Sequence, residues 1–139
     1  MIKGFGSGPT PGWSKEDNKQ QLNAQTAKIR LINGKNAGAE YSLSALKTSI
    51  GRNDPPGIMV DIDLTPHESG ETPVVSRHHA EFTWSGNTLL LTDLGSTNGT
   101  SVNGAPLQGE AHRQPSAPLE LKAGDRIVFA NLEFEVIVG

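Results

Sequence analysis

The sequence has no cysteine. That excludes a disulfide scaffold, a cysteine-ligated zinc site, an iron–sulfur cluster and a thiol nucleophile. No stretch approaches the ~20 apolar residues of a membrane-spanning helix, and Met1 to Trp13 has Lys3 but not the apolar run of a signal peptide. A basic excess is also missing. Lys and Arg number 12 against 15 Asp and Glu, and residues 28–139 hold nine basic and thirteen acidic side chains, a net of −4. A nucleic-acid surface clusters Lys and Arg on a basic domain, so DNA and RNA are poor ligands for this chain. Any anion it binds must be held by a local group of donors, because the global field does not attract one. A convincing 3.6-residue period is absent from every window of helical length. The protein is expected to be cytoplasmic, with no membrane span and no bound metal or cofactor.

What the sequence does contain is a tail and a strand-rich domain. With 139 residues, one domain is the expectation. Residues 1–27 read as a flexible tail or linker, because Gly4, Gly6, Gly8, Pro9, Pro11 and Gly12 are followed by a polar stretch from Ser14 to Gln25 that buries too little apolar area to offset ordering entropy. From residue 28 to 139 the chain reads as one all-β domain. Short apolar runs occur at Ala27–Leu31, Ala39–Leu43, Thr48–Gly51, Met59–Ile62, Ala80–Trp84, Thr88–Leu91, Leu119–Leu121, Arg126–Phe129 and Leu132–Val138, each bounded by Gly, Pro, Asn or Asp. Period-two runs at this spacing predict a sandwich or barrel. Asn33-Gly34, Ser85-Gly86-Asn87, Gly124-Asp125 and Ala130-Asn131 are the predicted turns. Asp63–Val74 and Gln108–Pro118 are long and irregular, which is where a β domain often carries its function.

Three polar segments stand at predicted strand ends: Gly51-Arg52-Asn53, Ser76-Arg77-His78-His79, and Gly95 to Thr100 followed by Asn103-Gly104. Their order and spacing resemble the forkhead-associated (FHA) domain over residues 28–138, with its Gly-Arg, Ser-x-x-His and successive Asn-Gly pairs. The resemblance implies an eleven-stranded β-sandwich whose loops at one end bind phosphothreonine peptides. It implies a phosphopeptide site of Arg52, Ser76, Arg77, Thr97 and Asn98, supported by Gly51, His79, Gly99 and Asn103. The implied partner is a phosphothreonine-containing protein, a substrate of a Ser/Thr kinase or the kinase itself, with the chain serving as an adaptor. The alternative is a phosphate-independent interaction or assembly domain on the same fold, since fold does not fix function.

Chemistry makes the implied roles reasonable. Phosphothreonine carries about −1.5 to −2 charge and three acceptor oxygens. A planar guanidinium such as that of Arg52 can give two parallel charge-assisted bonds, a serine hydroxyl can donate another, and the Asn98 amide offers both donor and acceptor to a ligand backbone. Each residue also has a plainer reading. Arg52 could pair on the surface with Asp54, Asp61 or Asp63. Ser76 could bond its own backbone, Thr97 could be a turn residue, and Asn98 could be a turn residue or part of a glycosylation sequon. His79 beside Ser76 would suit a general base, but no nucleophile elbow surrounds the serine, and in the family this histidine braces the loops. An enzyme is therefore not expected.

The insertion Thr65–Val74 is expected to rim the site, with the charges of Glu68 and Glu71 favouring a basic or disfavouring an acidic ligand residue three positions after the phosphothreonine. In some small bacterial members of the family, a phosphorylated N-terminal threonine occupies the domain's own site. Thr10 stands in a Pro-Thr-Pro context that could reach, but the double-threonine tail motif of those switches is missing here, so self-binding is not the expectation.

Overall fold

A computed structural model describes residues 22–68, 70, 72–109 and 114–139. Most of the proposed tail, including Thr10, lies outside these residues, as do Glu71 and His112.

Eleven strands form in chain order: β1 Ala27–Leu31, β2 Glu40–Ser42, β3 Lys47–Gly51, β4 Ile62–Asp63, β5 His78–Ser85, β6 Thr88–Asp93, β7 Thr100–Val102, β8 Ala105–Leu107, β9 Leu119–Leu121, β10 Arg126–Phe129 and β11 Leu132–Val138. They make two sheets, one of six strands ordered β2-β1-β11-β10-β7-β8 and one of five ordered β4-β3-β5-β6-β9. This is the expected all-β sandwich. Alternation dictates the packing: Leu89, Leu91 and Asp93 of β6 are buried while Thr88, Leu90 and Thr92 are only partly covered, and Leu132, Phe134 and Val136 of β11 turn inward in the same way. Phe82, Phe129 and Phe134 meet edge-on between the sheets, with ring centroids 6.2 Å and 5.7 Å apart. Trp84 is buried on the same face of β5 as Phe82, and its Nε1 donates to the Leu43 carbonyl at 2.7 Å.

Two expectations need correction. The run Met59–Ile62 is not a strand over its length: only Ile62 and Asp63 pair with β3, in parallel, and Met59 is exposed. Pro55 and Pro56 interrupt the ladder upstream, and the chain turns back instead through the Asp54–Ile58 bridge. The packed part also begins before residue 28. Leu22 belongs to the core, the Asn23 side chain accepts from the Gln25 and Thr26 amides, and Ala27 already pairs with Val138. The short β7–β8 hairpin escaped the periodicity because neither arm, Thr-Ser-Val or Ala-Pro-Leu, alternates apolar with polar residues.

Candidate functional site

Strand register decides which loops meet. Ile50 of β3 pairs with Ala80 of β5, and Ala80 pairs with Asp93 of β6. The loops after β3, before β5 and after β6 therefore leave the five-stranded sheet at one end. The β6–β7 loop crosses there to the other sheet. Between these loops lies a pocket of about 390 Å³ lined by Arg52, Ile58, Ser76, Arg77, His78 and Thr97.

Gly51 lets the first two loops close. A Cβ on it would sit 2.1 Å from the Arg77 carbonyl oxygen and 2.9 Å from that of Ser76, so no side chain fits. Arg52 follows, half-buried. Its backbone N–H donates to the Arg77 carbonyl at 3.2 Å, and its Nε donates to the Val75 carbonyl at 3.1 Å. Anchoring through Nε fixes the plane of the guanidinium. Among the described residues Arg52 makes no ion pair and its two terminal nitrogens have no hydrogen-bond partner. The acids it might have met are engaged elsewhere. Asp54 pairs with Arg77 at 3.2 Å, Asp61 takes the amide and hydroxyl of Ser49, and Asp63 takes the amides of Asn53 and Thr65.

The Ser76 hydroxyl oxygen accepts from the Thr97 backbone N–H at 3.0 Å, which joins the second loop to the third. Its own proton has no acceptor among the described residues. Thr97 and Asn98 are exposed at the tip of the β6–β7 loop. The Asn98 Nδ2 donates to the Val74 carbonyl at 2.7 Å, which leaves its carbonyl oxygen and second N–H outward.

Below this surface His79 is fully buried. The Ser76 amide donates to its Nδ1 at 3.0 Å, and its Nε2–H donates to the Gly99 carbonyl at 2.9 Å. That arrangement requires the neutral ring protonated on Nε2. Burial lowers its pKa below the ordinary imidazole value, against the opposing pull of the Gly99 carbonyl. Both ring nitrogens are occupied by backbone, so His79 is unavailable as a base to Ser76. Gly99 stands at φ +89°, a conformation that glycine adopts without strain.

Asp93 shapes the third loop from within. It accepts from the Gly95 and Ser96 amides through Oδ1 and from the Ser96 and Thr100 hydroxyls through Oδ2, at 2.6–2.9 Å. Burial raises the pKa of this carboxyl, but those four hydrogen bonds outweigh it and hold the pKa below the usual carboxylate range.

The structure thus brings Arg52, Ser76, Arg77 and Thr97 to one pocket, places Asn98 beside Thr97, and sets Gly51, His79 and Gly99 directly behind them. Asn103 is elsewhere. It follows the far end of β7, where its amide bonds Asp125 and the Arg126 N–H. Two pocket residues went unseen in the sequence, His78 and Ile58. His78 is exposed at the start of β5 although strict alternation with Ala80, Phe82 and Trp84 would turn it inward; the register shift between Ile50 and Gly51 places buried His79 next to buried Ala80 and leaves His78 outside. Ile58 reaches the pocket only because the chain doubles back at Asp54.

The Glu68 expectation fails. Its Oε1 accepts from the Val74 amide at 2.6 Å and the Val75 amide at 3.3 Å, so this carboxylate is turned into the loop instead of forming a charged rim. The two adjacent amides give Oε1 charge-assisted hydrogen bonds that draw the side chain inward.

The family model described as FHA domain matches residues 48–130, more than half of the chain. The chain belongs to the FHA-domain family. An oxoglutarate dehydrogenase inhibitor of Corynebacterium efficiens is 32% identical over 134 residues, covering 96% of this chain and 79% of that protein. The glycogen accumulation regulator GarA of Mycobacterium tuberculosis is 40% identical over 114 residues, covering 82% of this chain but only 59% of GarA. The FHA chain therefore matches less than two thirds of that relative's length. Among solved FHA structures, one described under phosphothreonine-dependent FHA domain interactions superposes with a TM-score of 0.61 at 32% identity, covering 82% of this chain and 97% of that one. The FhaA FHA domain complexed with the intracellular domain of Rv3910 does so at 0.59 and 32%, covering 80% and 99%. Among the described residues of the FHA chain, no helix is long and apolar enough to cross a membrane.

Proposed function

We propose that this FHA domain is a phosphothreonine-peptide-binding module that acts as a cytoplasmic, non-enzymatic adaptor in Ser/Thr kinase signalling. One observation carries the reading: an arginine fixed by its Nε on a backbone carbonyl, with both terminal nitrogens unengaged and no ion pair among the described residues, faces a pocket on an acidic protein. Such a cation is satisfied by an anion from outside. Arg52 supplies the two-pronged contact, the unengaged Ser76 proton a third bond, and Thr97 a hydroxyl at the rim. Asn98 grips the ligand main chain. Arg77 is already shared with Asp54, so it contributes less charge and more loop order. The relative's phosphothreonine-dependent interactions support the ligand class.

The test is a titration of the protein with a degenerate phosphothreonine-peptide pool, its unphosphorylated counterpart and a phosphoserine version. Saturable binding of the first and none of the second is expected. Equal binding of both, or partner capture that survives phosphatase and Arg52→Ala, would point instead to a phosphate-independent interface.

A further inference from the structure

Two consecutive residues, Val74 and Val75, carry the backbone on which the candidate ligand residues rest. The Val75 carbonyl takes Arg52 Nε at 3.1 Å, and the N–H of the same peptide group, that of Ser76, is held by His79 at 3.0 Å. Val74 repeats the pattern with other partners. Its carbonyl takes Asn98 Nδ2 at 2.7 Å, and its N–H is held by Glu68 Oε1 at 2.6 Å, while the N–H of the peptide group containing that carbonyl reaches the same oxygen at 3.3 Å. So a buried imidazole stands behind Arg52, and a carboxylate stands behind Asn98. The second oxygen of Glu68 is buried and meets no partner among the described residues; the side chain's hydrogen bonding goes wholly to these two amides.

We propose that Glu68 is a positioning residue for phosphopeptide binding, acting on Asn98 through the backbone of Val74. A carboxylate accepting an amide proton fixes that segment and polarises the adjoining carbonyl toward the Asn98 amide. With Nδ2 anchored, the remaining N–H and the carbonyl of Asn98 are aimed outward in one orientation, and less rotamer entropy is lost when they meet a ligand main chain. Without Glu68 the loop before β5 loses one of its two inner anchors, and Asn98 loses a fixed acceptor. The inference rests on the phosphopeptide reading for its effect on affinity, but not for its effect on Asn98 in the free protein.

Two measurements separate these. In the free protein, the Asn98 side-chain amide is followed by NMR in wild type, Glu68→Ala and Glu68→Gln. Its two protons should be well dispersed in wild type, collapse toward solvent-like shifts in Glu68→Ala, and be largely restored in Glu68→Gln, which keeps the acceptor oxygen. An unchanged Asn98 amide in a folded Glu68→Ala protein overturns the proposal, whatever the ligand. The second measurement is a double-mutant cycle with a phosphothreonine peptide drawn from the pool. Glu68→Ala should weaken binding about fivefold and cost nothing further when added to Asn98→Ala. A full fivefold loss in the Asn98→Ala background would overturn the proposal. If wild type bound no phosphopeptide, the functional reading would fall, and the Asn98 amide signature would decide the positioning role by itself.

Discussion

Replacing Arg52 by alanine separates fold from function in one residue. The side chain does two things. Inwardly, the guanidinium Nε–H donates to the Val75 carbonyl at 3.1 Å, a half-buried charge-assisted hydrogen bond whose loss costs about 1.5 kcal/mol and lowers the melting temperature by roughly 6–12 °C in a domain of about 100 residues. Outwardly, its terminal nitrogens face the pocket. A hydrogen bond to a charged group contributes about 1.5–3 kcal/mol, so losing even one weakens phosphopeptide binding between about tenfold and about 150-fold, at 1.36 kcal/mol per decade. Arg52→Lys should recover only part of this, because an ammonium keeps the charge but neither the fork nor the Nε anchor. The assay is isothermal titration with matched phosphorylated and unphosphorylated peptides, with a thermal melt of each variant. The reasoning is refuted if Arg52→Ala binds the phosphopeptide within twofold of wild type, or if it loses affinity equally for both peptides.

Other expectations follow from the same geometry. Ser76→Ala removes a donor and the Thr97 N–H acceptor together, so phosphopeptide affinity should fall about tenfold by the same titration; an unchanged affinity would remove Ser76 from the site. Gly51→Ala must displace the Arg77 carbonyl, which stands 2.1 Å from the new methyl, and should cost at least about 2 kcal/mol by urea unfolding; a neutral substitution would show that the close approach is wrong. His79 is held neutral with its pKa lowered, so its contribution is fully present above the unfolded imidazole pKa of ~6.5 and is lost as pH falls below that toward the folded value. Stability should therefore begin to decline below about pH 6.5, and His79→Gln, less stable throughout, should flatten that limb of the urea midpoint against pH. Asp93, with its pKa also lowered, contributes above the unfolded carboxyl pKa of ~3.9 and loses that contribution as pH falls through its folded pKa; Asp93→Asn should reduce the acid limb below about pH 4 and leave the slope near neutrality unchanged.

Much of this was legible before any coordinates. Short apolar runs bounded by Gly, Pro, Asn or Asp located most of the strands, and in the first of them a strand's period puts Ala27, Ile29 and Leu31 on one face. Arg52, Ser76, Thr97 and Asn98 were singled out because their segments resemble the Gly-Arg, Ser-x-x-His and Asn-Gly pattern of the FHA family, and the strand register then brings those segments to one end of the sandwich. What stayed hidden depends on tertiary geometry. Asp54 and Arg77 pair across 23 positions, and Ile58 enters the pocket by a doubling-back that its own period does not encode. Glu68 reads as a rim charge in sequence, since nothing local says that its partners will be the amides of Val74 and Val75. The sign of a side chain is visible in a sequence, but the direction in which it points is not. Ser116 is a similar case. It sits in an irregular stretch, yet its hydroxyl donates to the Ala117 carbonyl and accepts from the Asp93 amide, buried behind the third loop.

The central claim is that a partner's phosphate is held between the Arg52 guanidinium and the loops of Ser76 and Thr97. Its most direct measurement is a 15N NMR titration that follows the Arg52 Nε–H and the amides of residues 75–79 and 95–99 as phosphothreonine peptide is added. The account predicts large shifts at Arg52 Nε, Ser76, Arg77, Thr97 and Asn98, none with the unphosphorylated peptide, and none at Asn103. Shifts confined to an outer sheet face, or identical with both peptides, would contradict it.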